Sequence, residues 1–322
     1  MSRGPHAARP PSQAPDRASP LAREAWALLQ AMRPRQWTKN GTIFLALLFS
    51  VNQYWSPFDL VQATQLLVLT GAAFLVFCML SSGEYLINDL ADIDQDRLHP
   101  AKRLRPLASG RLRASVALAA AVVLLVGGIG LAFVLQRGFG IVATGYAVLM
   151  LAYTAVLKHT VILDVFTLAA GFVLRVVAGA VVIAVPISPW LYLCTVLGAL
   201  FLGLAKRRHE LTLLEQGATA HRPVLEEYSP RLLDQMIAVV TPSLVIAYSL
   251  YTFTAESLPR NHAMMLTIPF VLYGIFRYLY LVHNKQQGGR PEEVLLSDLP
   301  LIIDIVLWLA TAGIILVLFR GS

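Results

Sequence analysis

The sequence predicts an all-α protein that crosses a membrane many times, and three observations support this prediction. Of its 322 residues, 57% are hydrophobic and only 14% are charged, whereas soluble domains carry about 25% charged residues. Apolar runs of about 20 residues, the length that a helix needs to cross a bilayer, recur along the whole chain. The polar stretches between these runs are too short to fold as separate domains, which favours a single helical bundle.

Nine segments satisfy the length criterion and predict a polytopic membrane protein with nine transmembrane helices. The first segment is the weakest, because Asn40, Asn52 and Gln53 interrupt or flank its apolar run. The nine segments cover roughly residues 38–57, 64–86, 114–135, 140–157, 161–184, 189–205, 235–254, 263–283 and 299–319.

The positive charges indicate which helix ends face the cytoplasm. With a cytoplasmic N-terminus, the segments on that side hold 21 of the 26 Lys and Arg residues. This bias is typical of proteins of the inner (plasma) membrane, whose cytoplasmic loops are enriched in Lys and Arg. The net charge of +7 then follows from topology, so we expect membrane lipids and no nucleic acid among the partners.

The two ends of the chain differ in composition. The first twenty residues contain five prolines and no apolar run, so we expect residues 1–32 to form a disordered cytoplasmic tail. Residues 33–322 are expected to form one transmembrane catalytic domain. Cys78 and Cys194 lie far apart in apolar segments, so a zinc, iron–sulfur or covalent haem site is not expected.

Four carboxylates follow directly after the second apolar run, at the predicted membrane boundary. On a continuous helix, Asp89, Asp92 and Asp96 share one stripe with Asn88 at its edge, while Asp94 points to the opposite side. Carboxylates at such a boundary are costly unless a cation holds them. Mg²⁺ takes one or two carboxylates and completes its shell with water and substrate phosphate oxygens. The segment therefore predicts a Mg²⁺–diphosphate site at the bilayer surface.

A basic loop follows the acidic segment. Pro100 and Pro106 exclude a long helix here, so Lys102, Arg103 and Arg105 can fold back toward the acids. We expect these three side chains to contact phosphate groups. The alternative is anchoring at the membrane surface, which we prefer for the two later arginines of the loop.

A second basic cluster ends the sixth span. Lys206 and Glu210 share a helix face, and Arg207 also neighbours Glu210. Glu210 could orient a cation toward an anionic substrate, or the cluster could be an ordinary snorkelling helix end with a surface ion pair. Tyr153 and Lys158, at the end of the fourth span, form a third and weaker candidate pair.

Ionisable residues inside predicted spans usually face a bundle interior and mark function. Asp164 lies near the cytoplasmic end of its span and is expected to join the site. Glu84 is expected to support the acidic segment, and Asp304 to pair with a neighbouring cation. Arg175 and Arg277 are either structural or directed at lipid head groups.

The spacing Asn88-Asp89-x-x-Asp92-x-x-x-Asp96 resembles the NDxxDxxxD motif of the UbiA superfamily of intramembrane prenyltransferases. The resemblance implies nine transmembrane helices around a central cavity. Further segments are similar to the decaprenyl-phosphate phosphoribosyltransferase branch, and the likeness covers about residues 33–318. These segments are residues 33–40, 99–110, 157–175, 205–211 and 273–278.

The resemblance also implies an activity. Other members carry a second Asp-rich motif where this chain has its second basic cluster, and this departure favours the phosphoribosyl branch. The implied reaction moves a 5-phosphoribosyl group from 5-phosphoribosyl 1-diphosphate to polyprenyl (decaprenyl) phosphate. It requires Mg²⁺, releases diphosphate and leads toward an arabinose donor for cell-wall arabinan. A homo-oligomer is possible.

Residue roles follow from the motif positions. Catalytic roles are expected for Asp89, Asp92, Asp96, Lys102 and Lys158, and Asn88 joins the three acids as a metal ligand. The expected substrate-binding residues are Lys39, Lys102, Arg103, Arg105, Tyr153, Lys158, Asp164, Lys206, Arg207 and Glu210.

Three other functions fit the sequence less well. A prenyltransferase acting on an aromatic or haem acceptor should carry the second Asp cluster. An anionic-solute transporter should show internal repeats and broken helices at the midplane, whereas the charges here crowd one side of the membrane. A non-catalytic scaffold gives no reason for four acids beside six cations.

Overall fold

The computed structural model describes residues 19–99, 102–215, 223–255, 258–285 and 291–319. Short 3-10 helices span Pro34–Ile43, Lys102–Leu104, Leu157–His159, Pro223–Glu227 and Ala263–Thr267. The α-helices are α1 (Pro20–Ala31), α2 (Phe44–Phe49), α3 (Leu60–Ala91), α4 (Ile93–Leu98), α5 (Ala114–Leu135), α6 (Arg137–Ala155), α7 (Leu163–Val182), α8 (Pro189–Glu215), α9 (Pro230–Thr254), α10 (Ile268–Asn284), α11 (Pro291–Ser297) and α12 (Leu299–Leu318).

Eight helices in the described ranges are long and apolar enough to cross a membrane: α3, α5, α6, α7, α8, α9, α10 with the 3-10 turn before it, and α12. Those ranges contain no β-strand, only one isolated bridge between Val51 and Trp55. The predicted fold class, an all-α multi-pass membrane protein, is therefore confirmed.

The first predicted span is built differently from the other eight. It consists of the 3-10 helix Pro34–Ile43, the short α2 and a turn rather than one continuous helix. Its polar residues explain the break, because Asn40 turns inward to donate to the Ser81 hydroxyl at 3.2 Å. The segment also packs closely on α7, where a Cβ atom at Gly179 would lie 2.0 Å from the carbonyl oxygen of Ile43.

The prediction of a disordered tail is wrong for residues 20–32. The Ser19 hydroxyl accepts a hydrogen bond from the amide of Ala22, and this cap starts α1. Ala27 and Ala31 on this helix are buried against the bundle. Glu24 accepts two hydrogen bonds of 2.8 Å from the Arg113 guanidinium, which lowers the pKa of the carboxyl. Residues 1–18 of the predicted tail lie outside the described residues.

Buried polar contacts settle the two arginines whose roles the sequence left open. All three Arg175 nitrogens donate, to Asn40 Oδ1 at 2.8 Å, Tyr146 Oη at 2.6 Å and the Gly171 carbonyl at 2.9 Å. Arg175 is thus a structural residue that joins α6 and α7 to the 3-10 helix. Arg277 of α10 forms a two-contact pair with Asp298, the cap of α12, at 2.8 and 3.0 Å.

In the described part of the chain no ion pair joins Asp304 to a cation, so its predicted pairing stays a prediction. Asp304 is buried on α12 and faces α10, since a Cβ atom at Gly274 would lie 3.0 Å from its Oδ2. A glycine at that point leaves room for the carboxyl group between the two helices.

Apolar packing brings the ends of α3, α6, α7 and α8 together. One buried cluster includes Phe77, Phe139 and Tyr146 on α3 and α6, and also takes in part of α7. A second cluster joins α8 to α9 and α10, with Leu204 and Leu233 fully buried. Lys158, on the turn before α7, donates to Asp92 at the end of α3 at 2.6 Å, so the last turn of α3 lies close to the first turn of α7.

Candidate active site

The acidic segment is interrupted where the sequence predicted a continuous helix. Helix α3 ends at Ala91, Asp92 forms the junction with φ −98° and ψ 8°, and α4 starts at the next residue. The facing of the acids is still as predicted, because Asp89 and Asp96 are buried. Asp94 is exposed and pairs at 3.1 Å with Arg97. Only Asp92 lies between the two helices, so Asp89 and Asp96 still lie on the same side of the segment.

The basic loop folds back onto the acids. Arg105 Nη1 donates to Asp89 Oδ1 at 3.1 Å and to Asp96 Oδ2 at 2.6 Å, so one nitrogen bridges two carboxylates. The Lys102 ammonium lies 4.0 Å from Asp96 Oδ1. Arg103 is exposed, and no ion pair joins it to the acids within the described residues.

His99 shapes the start of this loop. Its Nδ1 accepts the backbone N–H of Lys102 at 3.3 Å. Burial of the ring lowers the pKa of His99, and the nearby Lys102 charge lowers it further. The ring is therefore neutral at pH 7 and can keep its acceptor role.

Lys158 reaches the acidic segment from a different part of the chain. It lies on the 3-10 turn Leu157–His159 between α6 and α7, and its Nζ donates to Asp92 Oδ1 at 2.6 Å. The lysine is buried, so its pairing with Asp92 is protected from solvent screening. Tyr153, also buried, ends α6 just before this turn.

The acidic segment offers oxygen donors that could hold a metal ion. Within the described ranges, no three Asp, Glu, His or Cys side chains are arranged to hold one together. Asp89 and Asp96 nevertheless converge on the single Arg105 nitrogen, which shows that two carboxylates here can face one cation. All the donors are oxygens, as Mg²⁺ prefers, and half-buried Asn88 adds another. The residues thus fit Mg²⁺ if Arg105 gives way.

The second basic cluster is largely enclosed. Arg207 Nε donates to Asp164 Oδ2 at 2.7 Å and Nη1 donates to Glu210 Oε2 at 2.5 Å. Arg207 and Asp164 are both almost inaccessible to solvent and form a buried ion pair, and substrate contact by these two residues stays a prediction. Lys206, whose ammonium lies 4.0 Å from Glu210, is partly exposed.

Lys39 is another residue of the predicted site. It sits half-buried on the 3-10 helix Pro34–Ile43, and its ammonium is 3.5 Å from Gln36 Oε1. Glu84 is buried in α3 beside the charge of Arg175 and the ring of Tyr146, within the membrane-spanning part of the bundle. Its expected support of the acidic segment stays a prediction.

Two residues at the site were missed as site residues by sequence reasoning. Arg33 contacts Asp89 and lies over the Tyr85 ring, 5.0 Å from its centroid. Its backbone has a φ of 55°, a left-handed conformation that directs the chain into Pro34. The signal was an arginine next to a proline inside a family-like segment. Tyr228, which donates to Asp164, gave no sequence signal.

Known proteins resemble this chain over most of its length. Residues 41–297 match the UbiA prenyltransferase family. A decaprenyl-phosphate phosphoribosyltransferase of Mycolicibacterium smegmatis is 33% identical over 295 residues, covering 89% of this chain and 91% of that protein. The protein of the same name from Corynebacterium glutamicum is 33% identical, covering 87% of this chain and 84% of that protein.

A solved structure shows the same fold. It is a UbiA homolog from Archaeoglobus fulgidus bound to GPP and Mg²⁺, with a TM-score of 0.66 and 18% identity. The match covers 91% of this chain and 100% of that one. From the family match, the relatives and the fold together, this chain belongs to the UbiA prenyltransferase family.

Proposed function

We propose that this enzyme transfers a 5-phosphoribosyl group from 5-phosphoribosyl 1-diphosphate to a polyprenyl phosphate, on the cytoplasmic face of the inner membrane. The relatives named decaprenyl-phosphate phosphoribosyltransferase support this proposal, because they match the chain over most of its length. The observation that carries it is the charge layout: one acidic motif lies next to basic side chains, and residues 206–210 provide cations instead of a second acidic motif.

The acidic motif is proposed to bind the leaving group. Asp89 and Asp96, with Asp92 and Asn88 beside them, would hold Mg²⁺. The ion would supply positive charge to the diphosphate as the bond to the ribose C1 breaks. Electrons of that bond leave with the diphosphate, and a lipid phosphate oxygen forms the new bond to C1.

The paired cations are proposed to change partners when the donor binds. Arg105, Arg33 and Lys158 neutralise the carboxylates in the structure described here. With Mg²⁺–diphosphate bound, the carboxylates would face the positive charge of the ion, and these three side chains would face the negative charge of the diphosphate. Each carboxylate and each cation would therefore keep a partner of opposite charge, so no buried charge would be left unpaired during the exchange. Arginine suits this role because its fork can bind two phosphate oxygens.

The acceptor needs positioning more than activation. A phosphate monoester has a second pKa of about 6, so the lipid phosphate is already largely dianionic at neutral pH. A general base is then unnecessary, and placement of the phosphate behind C1 contributes to the rate. Lys206 is partly exposed on α8, adjacent in sequence to Arg207, and is a candidate contact for this phosphate. Attack opposite the leaving group inverts C1 and gives a β product from an α donor.

The test is a transfer assay with protein purified in detergent. The protein receives phosphoribosyl diphosphate labelled in the ribose, polyprenyl phosphate and Mg²⁺, with and without EDTA. We expect label to enter the organic phase only with Mg²⁺. An Asp94→Asn variant serves as a control with an unchanged donor set, because Asp94 faces away from the site.

A parallel arm supplies labelled prenyl diphosphate and an aromatic acceptor. Prenyl transfer without phosphoribosyl transfer would contradict the proposed substrates while leaving the acidic motif as the diphosphate site. Phosphoribosyl transfer that survives EDTA would contradict the Mg²⁺ requirement instead.

A further inference from the structure

The turn that carries Lys158 ends in a strained residue. Ile162, the residue before α7, has φ +70° and ψ −49°. This region is strongly disfavoured for a β-branched side chain, and such a conformation persists only when neighbouring contacts hold it. Lys158 lies four residues earlier, so the path of this turn determines where its backbone stands.

A tyrosine from a distant loop holds the strained residue. The Tyr228 hydroxyl accepts the backbone N–H of Ile162 at 2.7 Å and donates to Asp164 Oδ1, also at 2.7 Å. Tyr228 lies in the segment before α9 and is buried among apolar side chains. Burial raises the pKa of Tyr228, so the hydroxyl keeps its proton and can serve both partners.

The buried ion pair holds the tyrosine in turn. The second oxygen of Asp164 accepts from Arg207 Nε at 2.7 Å, and Arg207 also binds Glu210 on the same helix. The Asp164 amide donates to the carbonyl of Thr160 inside the turn at 3.0 Å. Helix α8, the loop before α9 and the start of α7 are thus joined at the turn.

At its other end, the turn delivers Lys158 to the acidic motif. The lysine is buried, and its Nζ lies 2.6 Å from Asp92 Oδ1. A buried lysine has few rotamers available, so a shift of its backbone moves the ammonium away from Asp92.

We propose that Tyr228 is a positioning residue, whose hydroxyl holds residues 157–162 in the conformation from which Lys158 reaches the acidic motif and the bound diphosphate. This inference rests on the proposed function only through the diphosphate. Because prenyl and phosphoribosyl transfer both release diphosphate, its test does not depend on which of the two the protein performs.

The experiment is a double-mutant cycle on the binding of Mg²⁺–inorganic diphosphate, measured by titration calorimetry on detergent-purified protein. The four proteins are wild type, Tyr228→Phe, Lys158→Ala and the double variant. We expect a loss of affinity of about fivefold for Tyr228→Phe and about thirtyfold for Lys158→Ala. The double variant should match Lys158→Ala alone, because the hydroxyl acts only through the lysine.

A second tyrosine provides the matched control. The Tyr248 hydroxyl also contacts two partners, Thr267 at 2.6 Å and Trp308 at 2.8 Å. Tyr248 lies in the second half of α9, twenty residues after Tyr228. Tyr248→Phe should lose two similar hydrogen bonds without changing diphosphate affinity. The inference is overturned if Tyr228→Phe binds Mg²⁺–diphosphate as tightly as wild type, or if Tyr248→Phe loses as much affinity as Tyr228→Phe. It is also overturned if the affinity loss of the double variant is the product of the two single losses.

Discussion

The acidic end of α3 and the buried pair at the start of α7 are built from the same kinds of residues but differ in access to water. Around the acids, each ion pair has one partly exposed partner, Arg33 at 21%, Arg105 at 26% and Asp92 at 22%. The other partners, Asp89, Asp96 and Lys158, are buried. In the other pair, Arg207 is 1% exposed and Asp164 is 0% exposed. Partly exposed pairs can exchange partners when an anion arrives, whereas a fully buried pair cannot do so without exposing a charge to low dielectric.

This difference distinguishes side chains suited to bind substrate from side chains that stabilise the fold. Cations that can leave a carboxylate are suited to meet a substrate phosphate, and those that cannot leave hold helices together. The two groups are indistinguishable in the sequence, where both are basic residues at the ends of apolar helices. The comparison therefore predicts opposite consequences for similar substitutions in the two regions.

The largest effect is expected at the acids. Asp89→Asn should lower the transfer rate by about a thousandfold or more, because the neutral amide would bind the proposed Mg²⁺ less tightly than the carboxylate does. The folded fraction should be retained, as judged by gel filtration in detergent. Asp94→Asn, on the opposite side of the segment, should stay close to wild type. If Asp94→Asn proved the more damaging change, the assignment of the acidic face would be wrong.

The next effect is expected in the buried pair and should appear in folding. Asp164→Asn removes the fully buried one of the two carboxylates that Arg207 contacts and leaves only the partly exposed Glu210, which costs about 3 kcal/mol of folding free energy. We expect a lower melting temperature and less extractable protein. A variant that melts like wild type but has lost diphosphate binding would place Asp164 in the binding site and collapse the comparison.

A smaller effect is expected at Arg105. Arg105→Ala should raise the KM for phosphoribosyl diphosphate about thirtyfold, the effect of losing about 2 kcal/mol of charge-assisted contact. Arg105→Lys keeps the charge but not the fork, so it should recover part of the loss. Steady-state kinetics of the three proteins at constant ionic strength measure the difference. An unchanged KM in the alanine variant would show that Arg105 only neutralises the acids.

The smallest effect is expected at Lys206. Its ammonium is partly exposed and lies 4.0 Å from Glu210, so solvent screens its interactions. Lys206→Ala should weaken turnover of the lipid phosphate about threefold. The same substitution at Lys285, a cation at the end of α10, is a matched control. Equal kinetics for the two variants would leave Lys206 as a membrane-anchoring helix end.

Periodicity predicted the part of the site that lies within one stretch of chain. The facing of Asp89, Asp96 and Asp94 follows from helical spacing, which the single junction at Asp92 does not disturb. The weak first span was also recognisable, because Asn40 interrupts it. Spacing within a segment carries no information about which distant segment packs against it.

The contacts that complete the site come from such distant segments. Arg33 lies 56 residues before Asp89, and Lys158 lies 66 residues after Asp92. Tyr228 reaches a turn that is 66 residues away in sequence. The helix at Pro20–Ala31 was missed for a local reason: the prolines of the first twenty residues outweighed the Ser19–Pro20 start signal that precedes an alanine-rich run.

The length of α3 sets the depth at which the reaction takes place. Its 32 residues span about 48 Å at 1.5 Å per residue, while the hydrocarbon layer of a bilayer is only about 30 Å thick. The predicted span, residues 64–86, accounts for about 35 Å of that length, so the acids that follow it are expected among the lipid head groups rather than among the acyl chains. A sugar diphosphate can reach that depth from water without being dehydrated in the hydrocarbon layer. A lipid phosphate is already at that height, so only its tail has to move sideways in the membrane.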